Sequence, residues 1–511
     1  MYDRAGTRSL RDLLDERTER HPDKTWLVVE DAAGRVVELT YAEFAARVDG
    51  LAAGLAEHGI RPGDRVAVHL RNGVEIVETW FALATLGAVY VPSNVANTAP
   101  EIRHVTARSG AVLVVAGAEF ADAVDKAVVE GCPAVRDVIL VGGGPERRGL
   151  DDLRRPGVVP PRAGGADDVV EMIFTSGTTS RPKGVLLTHA NALFGGENAA
   201  AALHLDATDR LLTSLPIFHV NAQTCTVLAA LSVGGTCVLL EEYRATRFWD
   251  QVRAHRATEI SLVAMQARTL LAQAPRETDA DHAVRRVFYA LNITRTERDA
   301  FETRFGVELM NGYGLSEANV LVTLAPAFGP KRWPSIGLPL HQRTVRLVDP
   351  EGRDVPRGEV GEILVHGVPG RTVMLGYHDD PAATAAALRD GWLHTGDNAY
   401  ADELGYLYFF DRAKDMIKRS GENVSSSEVE SVLLDHPDIA EAAVIGVPDP
   451  VRDEAVKAFV VPVPGRTLTE RAVVDFCREN LASFKVPTIL EFRDELPKTS
   501  IGKIEKKALR S

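Results

Sequence analysis

The sequence is poor in cysteine, with four in 511 residues, and their positions show no metal-ligand spacing. So few cysteines in so long a chain do not make a disulfide framework, so we expect buried free thiols and a reducing, cytoplasmic compartment. The first residues lack the charged-then-apolar order of a signal peptide. The most apolar stretch, residues 225–240, is interrupted by Ser232, Gly234 and Gly235. It is too short to span a bilayer.

Basic residues are also in deficit. Lys and Arg number 58 against 71 Asp and Glu, which gives a formal net charge of −13, and no long basic run occurs. This balance argues against nucleic acid as the main partner, because such proteins need a basic surface. Hydrophobic residues make up 45% of the chain and charged residues 25%. That usage is typical of globular proteins and argues against a disordered, collagen-like or coiled-coil chain.

The hydrophobic pattern changes along the chain. Up to about residue 240, short apolar runs alternate with helical patterns, most clearly as a strand at 211–215, a helix around 222–231 and a strand at 236–240. This alternation predicts mostly parallel sheets with right-handed crossovers. A helix around 247–255 and a strand at 259–263 continue it. After about residue 344 the pattern becomes one of hairpins, which predicts a small antiparallel β subdomain.

The last hundred residues predict a separate α+β unit. Ser425 and Glu428 have the spacing of a capping box for a helix through about Leu434. Strands are expected at 440–447, 455–463 and 489–493, and a helix at 470–481. The polar residues 411–415 follow a strand directly and predict a hinge. We therefore expect an α/β protein with a large N-terminal domain, residues 1–413, and a small C-terminal domain, residues 414–511.

The most informative segment for chemistry is MIFTSGTTSRPKGV, residues 172–185. An apolar strand leads into a loop rich in glycine and hydroxyl groups, which suits a polyphosphate. Gly177 permits close backbone approach, successive N–H groups form an anion nest, and Lys183 adds a positive charge. The loop is not a Walker loop, because the Gly-Lys-Ser/Thr order is absent. The residues expected to hold phosphates are Thr175, Ser176, Gly177, Thr178, Thr179 and Lys183.

This segment resembles the phosphate-loop signature of the adenylate-forming superfamily, although Ser180 stands where Gly is usual. That superfamily includes acyl- and aryl-CoA synthetases, peptide-synthetase adenylation domains and luciferases. Further segments resemble its other motifs in the same order, so that the resemblance spans nearly the whole chain. They are PIFHVN at 216–221, NGYGLSE at 311–317, WLHTGD at 392–397, residues 411–424 and residues 497–504.

The resemblance implies ATP, Mg²⁺ and coenzyme A as cofactors, and it gives the motifs catalytic roles. Glu317, together with Thr175, would hold Mg²⁺, which prefers oxygen ligands. Lys503 would offset the repulsion between a carboxylate and the α-phosphate, from a lid that moves between the two half-reactions. Lys414 would be the hinge residue of that mobile C-terminal domain.

The resemblance also implies binding roles for the nucleotide and for coenzyme A. Tyr313 would offer a ring face to adenine, and Asp397 would accept both ribose hydroxyls. The turn at Ser420 and Gly421 would line a tunnel for the pantetheine of coenzyme A. The other residues assigned to nucleotide binding are Asn311, Gly312, Gly314, Ser316 and Arg412.

The substrate is predicted less sharply. Residues 288–294, 331–337 and 452–457 look most like the crotonobetaine/carnitine-CoA ligase subgroup. The resemblance implies that His219 lines the carboxylate pocket, where it would contact the substrate and take part in catalysis. Asn221, Gln223, Asn292 and Asn319 could line a small polar pocket, which disfavours a plain fatty chain because polar groups in a pocket need partners. Alternatively, these amide side chains hydrogen-bond the backbone and never meet the substrate.

Three functions remain open at this point. The favoured one is a two-step ligase that adenylates a small or polar acid, releases pyrophosphate and passes the acyl group to coenzyme A. A second keeps the adenylation but uses another acceptor, for example in nitrite activation for diazotisation of an aryl amine. A third is a non-catalytic nucleotide sensor. The expected partners are small molecules, with no nucleic acid and no membrane span, and a homodimer is possible.

Overall fold

The computed structural model describes residues 5–143, 147–175, 182–289, 293, 295–412, 416–497, 504 and 506–509. Its strands, in chain order, are β1 (Thr25–Glu30), β2 (Val36–Thr40), β3 (Arg65–His69), β4 (Val89–Pro92), β5 (Leu113–Gly117), β6 (Asp137–Val141), β7 (Val169–Thr175), β8 (Lys183–Thr188), β9 (Arg210–Thr213), β10 (Thr236–Leu240), β11 (Glu259–Leu262), β12 (Arg286–Tyr289), β13 (Glu308–Leu315), β14 (Val320–Leu324), β15 (Leu338–Pro339), β16 (Thr344–Val348), β17 (Gly361–His366), β18 (Gly376–Tyr377), β19 (Leu388–Arg389), β20 (Trp392–Ala401), β21 (Leu407–Arg412), β22 (Met416–Arg419), β23 (Glu422–Ser425), β24 (Ile439–Asp449), β25 (Asp453–Pro462) and β26 (Ile489–Phe492).

The helices are α1 (Leu10–Arg20), α2 (Tyr41–Glu57), α3 (Val74–Leu86), α4 (Ala99–Ser109), α5 (Ala121–Gly131), α6 (Leu150–Leu153), α7 (His189–Ala202), α8 (Val220–Ala222), α9 (Ala229–Val233), α10 (Phe248–Ala254), α11 (Ala264–Leu271), α12 (Arg295–Phe305), α13 (Pro381–Ala387), α14 (Ser426–Leu434) and α15 (Glu470–Asn480). Single 3₁₀ turns occur at Ala118–Phe120, Ser316–Ala318 and Lys506–Leu509. Within the described ranges, no helix is both long and apolar enough to cross a membrane.

Two large sheets form most of the N-terminal body, by which we mean the described residues from 5 to 412. In the described chain, one sheet has nine strands in the order β15-β14-β13-β12-β11-β9-β10-β1-β2, and the other has seven in the order β18-β8-β7-β4-β3-β5-β6. In the nine-stranded sheet, the neighbouring strands β13, β12, β11, β9, β10 and β1 are parallel. In the seven-stranded sheet, the neighbours β7, β4, β3, β5 and β6 are parallel. The predicted α/β architecture is thus confirmed.

The main apolar core lies between these two sheets. It joins Trp26 of β1, Phe44 of α2, Phe81 of α3 and Val66 of β3, all with no exposed surface. The Trp26 and Phe44 ring centroids are 4.3 Å apart, and Phe81 packs edge-on against both rings. The cysteines contribute to cores in the same way, because all four are free and buried, as predicted.

The helix predicted around 222–231 is observed, but it has an unexpected form. Between α8 and α9, residues Gln223–Leu228 form wider, π-helical turns. The amide of Gln223 donates both to the Ile217 carbonyl, at 2.8 Å, and to the Glu171 carboxyl, at 2.6 Å. Burial raises the pKa of Glu171 to about 8. This contact ties the segment after His219 to β7, the strand that leads into the predicted phosphate loop.

Two smaller sheets follow, and both were predicted. β16, β17, β20, β19 and β21 form an antiparallel sheet within the N-terminal body. β23, β22, β25 and β24 pair antiparallel, with β26 parallel to β25, in the C-terminal unit, by which we mean the described residues from 416 onward. The C-terminal unit has its own apolar core, which includes Ile417, Val429 and Val456. Helix α14 begins at Ser426, where the sequence predicted a helix start.

Candidate active site

A cleft of about 1470 Å³ lies between the N-terminal body and the C-terminal unit. It opens where β4, β7, β9 and β13 end, and the carboxyl ends of parallel strands are the usual place for ligands in such folds. Most of the residues singled out from the sequence line it. They are Thr175, Lys183, His219, Asn221, Asn311, Gly312, Tyr313, Gly314, Ser316, Glu317, Asp397, Ser420 and Gly421.

Some sequence-predicted residues are not placed in this cleft. Ser176, Gly177, Thr178, Thr179, Asn292, Lys414 and Lys503 lie outside the described residues. The backbone of Arg412 lies opposite Asp397 in the pairing of β20 with β21. The loop that contains the first four of these residues is bounded by Thr175 and Lys183, which pair with each other at the end of the β7–β8 hairpin.

Asn319 lies apart from His219 and Asn221, the predicted substrate residues that line the cleft. This residue is 3% exposed and does not line the cleft. Its backbone is left-handed, with φ of 55°, and its amide donates to the Asn191 carbonyl at 2.7 Å. Asparagine tolerates this conformation and bonds to nearby backbone, so Asn319 fixes the turn after Glu317 to helix α7. This contact favours the backbone role among the two interpretations of Asn319.

The backbone around Tyr313 is packed too closely for side chains at its neighbours. A Cβ on Gly314 would lie 1.4 Å from the Val320 carbonyl oxygen of β14. A Cβ on Gly312 would lie 2.9 Å from the Thr323 carbonyl oxygen. Both glycines therefore let β13 approach β14 closely, which places Tyr313 on the cleft wall.

The Tyr313 ring and the Asp397 carboxylate form one wall of the cleft. The Tyr313 hydroxyl donates to Asp397 Oδ2 at 2.7 Å, and both side chains are largely buried. The Phe409 ring lies 6.1 Å from the Tyr313 ring, centroid to centroid. The amide of Asn311 donates to the Ser335 carbonyl at 3.0 Å. This wall offers aromatic faces for a base and an oriented carboxylate for hydroxyl groups.

A second wall carries Glu317 and Lys183. The Tyr377 hydroxyl donates to Glu317 Oε1 at 2.9 Å, and Lys183 Nζ lies 5.0 Å from the Tyr377 ring centroid. Burial raises the pKa of Tyr377, and the Glu317 carboxylate raises it further, so the phenol stays protonated and donates. This arrangement positions a carboxylate and an ammonium group on the same side of the cleft.

Glu317 and Thr175 fit the requirements of Mg²⁺. Both supply oxygen donors and line the cleft. Among the described residues, no group of three or more His, Cys, Asp or Glu side chains could hold a metal by itself. Mg²⁺ usually takes one or two carboxylates and completes its shell with phosphate oxygens and water. The donor set therefore suits Mg²⁺ brought in with a nucleotide and not a closed structural metal site.

The contact between His219 and Glu422 spans the cleft. His219 Nε2 lies 2.9 Å from Glu422 Oε2, and Glu422 belongs to β23 of the C-terminal unit. Burial works against the charged imidazole, but the Glu422 carboxylate outweighs it and raises the pKa of His219. Burial would likewise raise the pKa of Glu422, but His219 lowers it. The pair is an imidazole oriented by a carboxylate, which is a common arrangement for moving a proton.

The turn that carries Glu422 sits deep against the N-terminal body. Ser420 and Gly421 have φ of 54° and 85°, and a Cβ on Gly421 would lie 3.1 Å from the methyl groups of Val263. Nearby, the Ser261 hydroxyl donates to Asn221 Oδ1 at 3.1 Å. The C-terminal unit thus inserts this turn into the cleft beside Asn221 and His219.

Three further cleft residues were not selected from the sequence. Glu422 stands directly after Gly421 in a recognised motif, so the motif itself could have pointed to it. Tyr377 and Lys485 follow no local pattern that marks a site. Their roles come from contacts with Glu317 and with Glu101, which are distant in the chain.

Comparisons with known proteins agree with this geometry. Residues 14–378 match the family model of the AMP-binding enzymes, and residues 428–503 match that of the AMP-binding enzyme C-terminal domain. The chain is 41% identical to the crotonobetaine/carnitine–CoA ligase of Salmonella arizonae, over 99% of this chain and 100% of the relative.

Two solved structures of one enzyme are also similar. The o-succinylbenzoate CoA synthetase of Bacillus subtilis, as a double mutant bound to the product analogue OSB-NCoA, is 27% identical and superposes with a TM-score of 0.88. The match covers 99% of this chain and 98% of the other. The same enzyme in complex with AMP, at 27% identity and the same coverage, superposes with a TM-score of 0.71.

Proposed function

We propose that this chain activates a small or polar carboxylic acid and transfers its acyl group to coenzyme A. The chain belongs to the AMP-binding enzyme family and is an adenylate-forming acid–CoA ligase. One observation carries the proposal: a single cleft is lined both by an aromatic ring beside a carboxylate and by an imidazole beside a carboxylate. Tyr313 and Asp397 form the first, and His219 with Glu422 forms the second.

In the first half-reaction, a carboxylate oxygen of the acid attacks the α-phosphate of ATP and pyrophosphate leaves. Asp397, which the Tyr313 hydroxyl orients, would accept hydrogen bonds from the ribose, and the Tyr313 ring would pack against the base. Glu317 and Thr175 would hold Mg²⁺, which would supply positive charge at the phosphates. Lys183 adds a cation on the same side, and Lys503, outside the described residues, neutralises the charge that builds up between the two anions.

In the second half-reaction, the thiol of coenzyme A attacks the acyl carbon and AMP leaves with the bonding electron pair. His219 accepts the thiol proton, and Glu422 orients the ring and stabilises the imidazolium. The turn at Ser420 and Gly421 lines the path of the pantetheine chain. In support, the chain superposes better on the synthetase bound to a CoA-product analogue than on the same synthetase bound to AMP.

A rotation of the C-terminal domain separates the two half-reactions in this proposal. Residues 1–413 bind the nucleotide and the acid, and residues 414–511 turn about Lys414. The separate apolar core of the C-terminal unit supports this division, because such a unit can move without exposing its own interior. The rotation exchanges Lys503 for the turn that carries Glu422.

The acid is proposed to be small and polar. Asn221 faces the cleft beside His219 and accepts a hydrogen bond from Ser261, so this part of the wall is polar. A long alkyl chain would leave such groups without water or a partner. Crotonobetaine and carnitine, which the name of the 41% identical relative specifies, are the first acids to test.

The decisive experiment is a pyrophosphate-release panel. Crotonobetaine, carnitine, short aryl acids and nitrite are each offered with MgATP, with and without coenzyme A. We expect one small polar acid to release pyrophosphate and, with coenzyme A, to yield AMP and a thioester that mass spectrometry identifies. Release without consumption of coenzyme A would instead favour another acceptor, as in nitrite activation. A nucleotide sensor would bind ATP but release no pyrophosphate with any acid.

A further inference from the structure

Besides the His219–Glu422 pair, two charged contacts among the described residues join the C-terminal unit to the N-terminal body. Lys485 reaches Glu101 on α4, a helix that packs on the seven-stranded sheet. Asp453, at the start of β25, pairs with Arg268 on α11, the helix that follows β11 of the nine-stranded sheet. We call these two contacts the Glu101 clasp and the Arg268 clasp.

Glu101 is held in place by the cap of its own helix, independently of Lys485. Its Oε2 accepts hydrogen bonds from the backbone and the hydroxyl of Thr98, both at 2.9 Å, as the capping box of α4. Its other oxygen, Oε1, accepts from Lys485 Nζ at 2.9 Å. On the opposite side, Lys485 is braced by Glu428 Oε1, also at 2.9 Å. All three charged side chains are about nine-tenths buried.

The Arg268 clasp is built in the same way. Arg268 Nε donates to Glu297 Oε1 of α12 at 2.8 Å, so the guanidinium is oriented by its own body. The guanidinium then contacts Asp453 Oδ1 of the C-terminal unit. Asp453 has a left-handed backbone, with φ of 66°, and its side chain is 12% exposed. Each clasp therefore has one charge fixed by the body and one carried by the C-terminal unit.

We propose that the Glu101 and Arg268 clasps are positioning contacts for acyl transfer, a role that rests on the proposed function. Both bonds join residues of the body to residues of the C-terminal unit, and both exist while the turn with Glu422 occupies the cleft. Separating the units takes from Glu101 and Asp453 the cation that each contacts here, whereas Lys485 keeps Glu428 and Arg268 keeps Glu297. Contacts made in only one of two states shift the population toward that state. The clasps thus favour the acyl-transfer arrangement over the adenylation arrangement and do not assist adenylation.

The test uses Glu101→Gln and Asp453→Asn in the full-length protein. Glutamine still completes a capping box, so Glu101→Gln removes the charge but keeps the cap of α4. Asparagine tolerates a left-handed backbone, so Asp453→Asn keeps the local fold. Each variant should slow single-turnover acyl transfer from preformed adenylate to coenzyme A roughly tenfold, while pyrophosphate release in the adenylation step does not slow.

Matched controls separate the clasps from local effects. Glu43 completes a capping box with Thr40 on α2, far from the cleft, so Glu43→Gln repeats the same change without a clasp. Asp390 also has a left-handed backbone, with φ of 53°, and is exposed, so Asp390→Asn matches Asp453→Asn. Both controls should leave both half-reactions unchanged.

The outcomes are distinct. Slower acyl transfer with normal adenylation in both clasp variants supports the proposal. Unchanged acyl transfer, or an equal loss in both half-reactions, overturns it. If the unmodified protein forms no thioester with coenzyme A from any acid in the panel, the proposed function fails instead. The ratio of the two half-reaction rates is the deciding quantity, because a general loss of folded protein lowers both rates together.

Discussion

The two sides of the cleft are assembled differently. On the N-terminal body, Asp397 is held by Tyr313 and Glu317 by Tyr377, through hydrogen bonds made within the body itself. On the C-terminal side, Glu422 is held by His219, across the boundary between the two units. Groups of the first kind keep their geometry when the units separate, whereas groups of the second kind do not. We therefore expect substitutions at Asp397 and at Glu422 to affect different half-reactions.

The largest effect should come from a residue of the C-terminal side that belongs to the first half-reaction. Lys503→Ala removes the cation proposed to neutralise the reacting anions, and adenylation should fall about 1000-fold. Acyl transfer from supplied adenylate should remain close to normal. Single-turnover assays of each half-reaction measure this difference. An equal loss in both would contradict a lid that exchanges its catalytic groups.

A large effect on the body side is expected at Asp397. Asp397→Ala removes the carboxylate that Tyr313 orients, and the KM for ATP should rise about 100-fold because charged hydrogen bonds to the ribose are lost. Tyr313→Phe, which keeps the ring and the carboxylate, should raise the KM much less. Steady-state pyrophosphate release at varied ATP checks both. A normal KM in Asp397→Ala would remove this residue from the nucleotide site.

A smaller and more selective effect is expected at Glu422. Glu422→Gln should slow acyl transfer about tenfold at neutral pH and spare adenylation, because the imidazole loses its orienting charge. Glu422 raises the pKa of His219, so the neutral, proton-accepting ring accumulates only as the pH rises through that raised value. Glu422→Gln removes the carboxylate that raises the pKa of His219, so this pKa should fall from its raised value. The rising limb of the acyl-transfer pH profile should move to lower pH.

The same pair makes the docked arrangement depend on pH. The pKa of His219 is raised and that of Glu422 is lowered while the two are in contact. The pair therefore stabilises docking between these two values. Its contribution is lost when the pH rises through the raised value of His219 or falls through the lowered value of Glu422. An unshifted acyl-transfer profile in Glu422→Gln would show that His219 does not act through this contact.

The smallest effect is expected at Tyr377. Tyr377→Phe removes one hydrogen bond to Glu317 but leaves the carboxylate and the ring beneath Lys183. The Mg²⁺ concentration at half-maximal adenylation should rise about threefold, since a single hydrogen bond orients a ligand that is already present. Titration of Mg²⁺ at saturating ATP measures it. A rise in the KM for coenzyme A instead would show that Tyr377 acts in acyl transfer and not in adenylation.

Local patterns predicted the scaffold of the site well. The strand and loop at 172–185 became β7 and β8, with Thr175 and Lys183 paired at the loop ends. The strand at 236–240 was predicted with its observed bounds, because a short apolar run that directly follows two glycines is typical of a buried strand. The helix at 222–231 was predicted, but its π-helical turns were not. Those turns accompany hydrogen bonds from Gln223 to Ile217 and Glu171, and the bond to Glu171 is a tertiary contact.

Local sequence patterns did not predict the direction in which side chains point. Asn221 and Asn319 are the same residue type and both lie near recognised motifs, yet Asn221 lines the cleft and Asn319 turns into the core. The difference depends on Asn191, whose carbonyl accepts the Asn319 amide from a helix 128 positions away in the chain. No spacing within one segment reports such a partner.

The sequence by itself determined the two kinds of sheet, the phosphate-loop hairpin and the types of chemical group available. These depend on short-range periodicity, turns and side-chain chemistry, all of which are local. Only the tertiary structure decided that Glu422 faces His219, that Tyr377 holds Glu317, and that Lys485 meets Glu101. Each of these contacts joins elements that are far apart in the chain. Such elements meet only when the sheets and helices pack against one another, which no local pattern specifies.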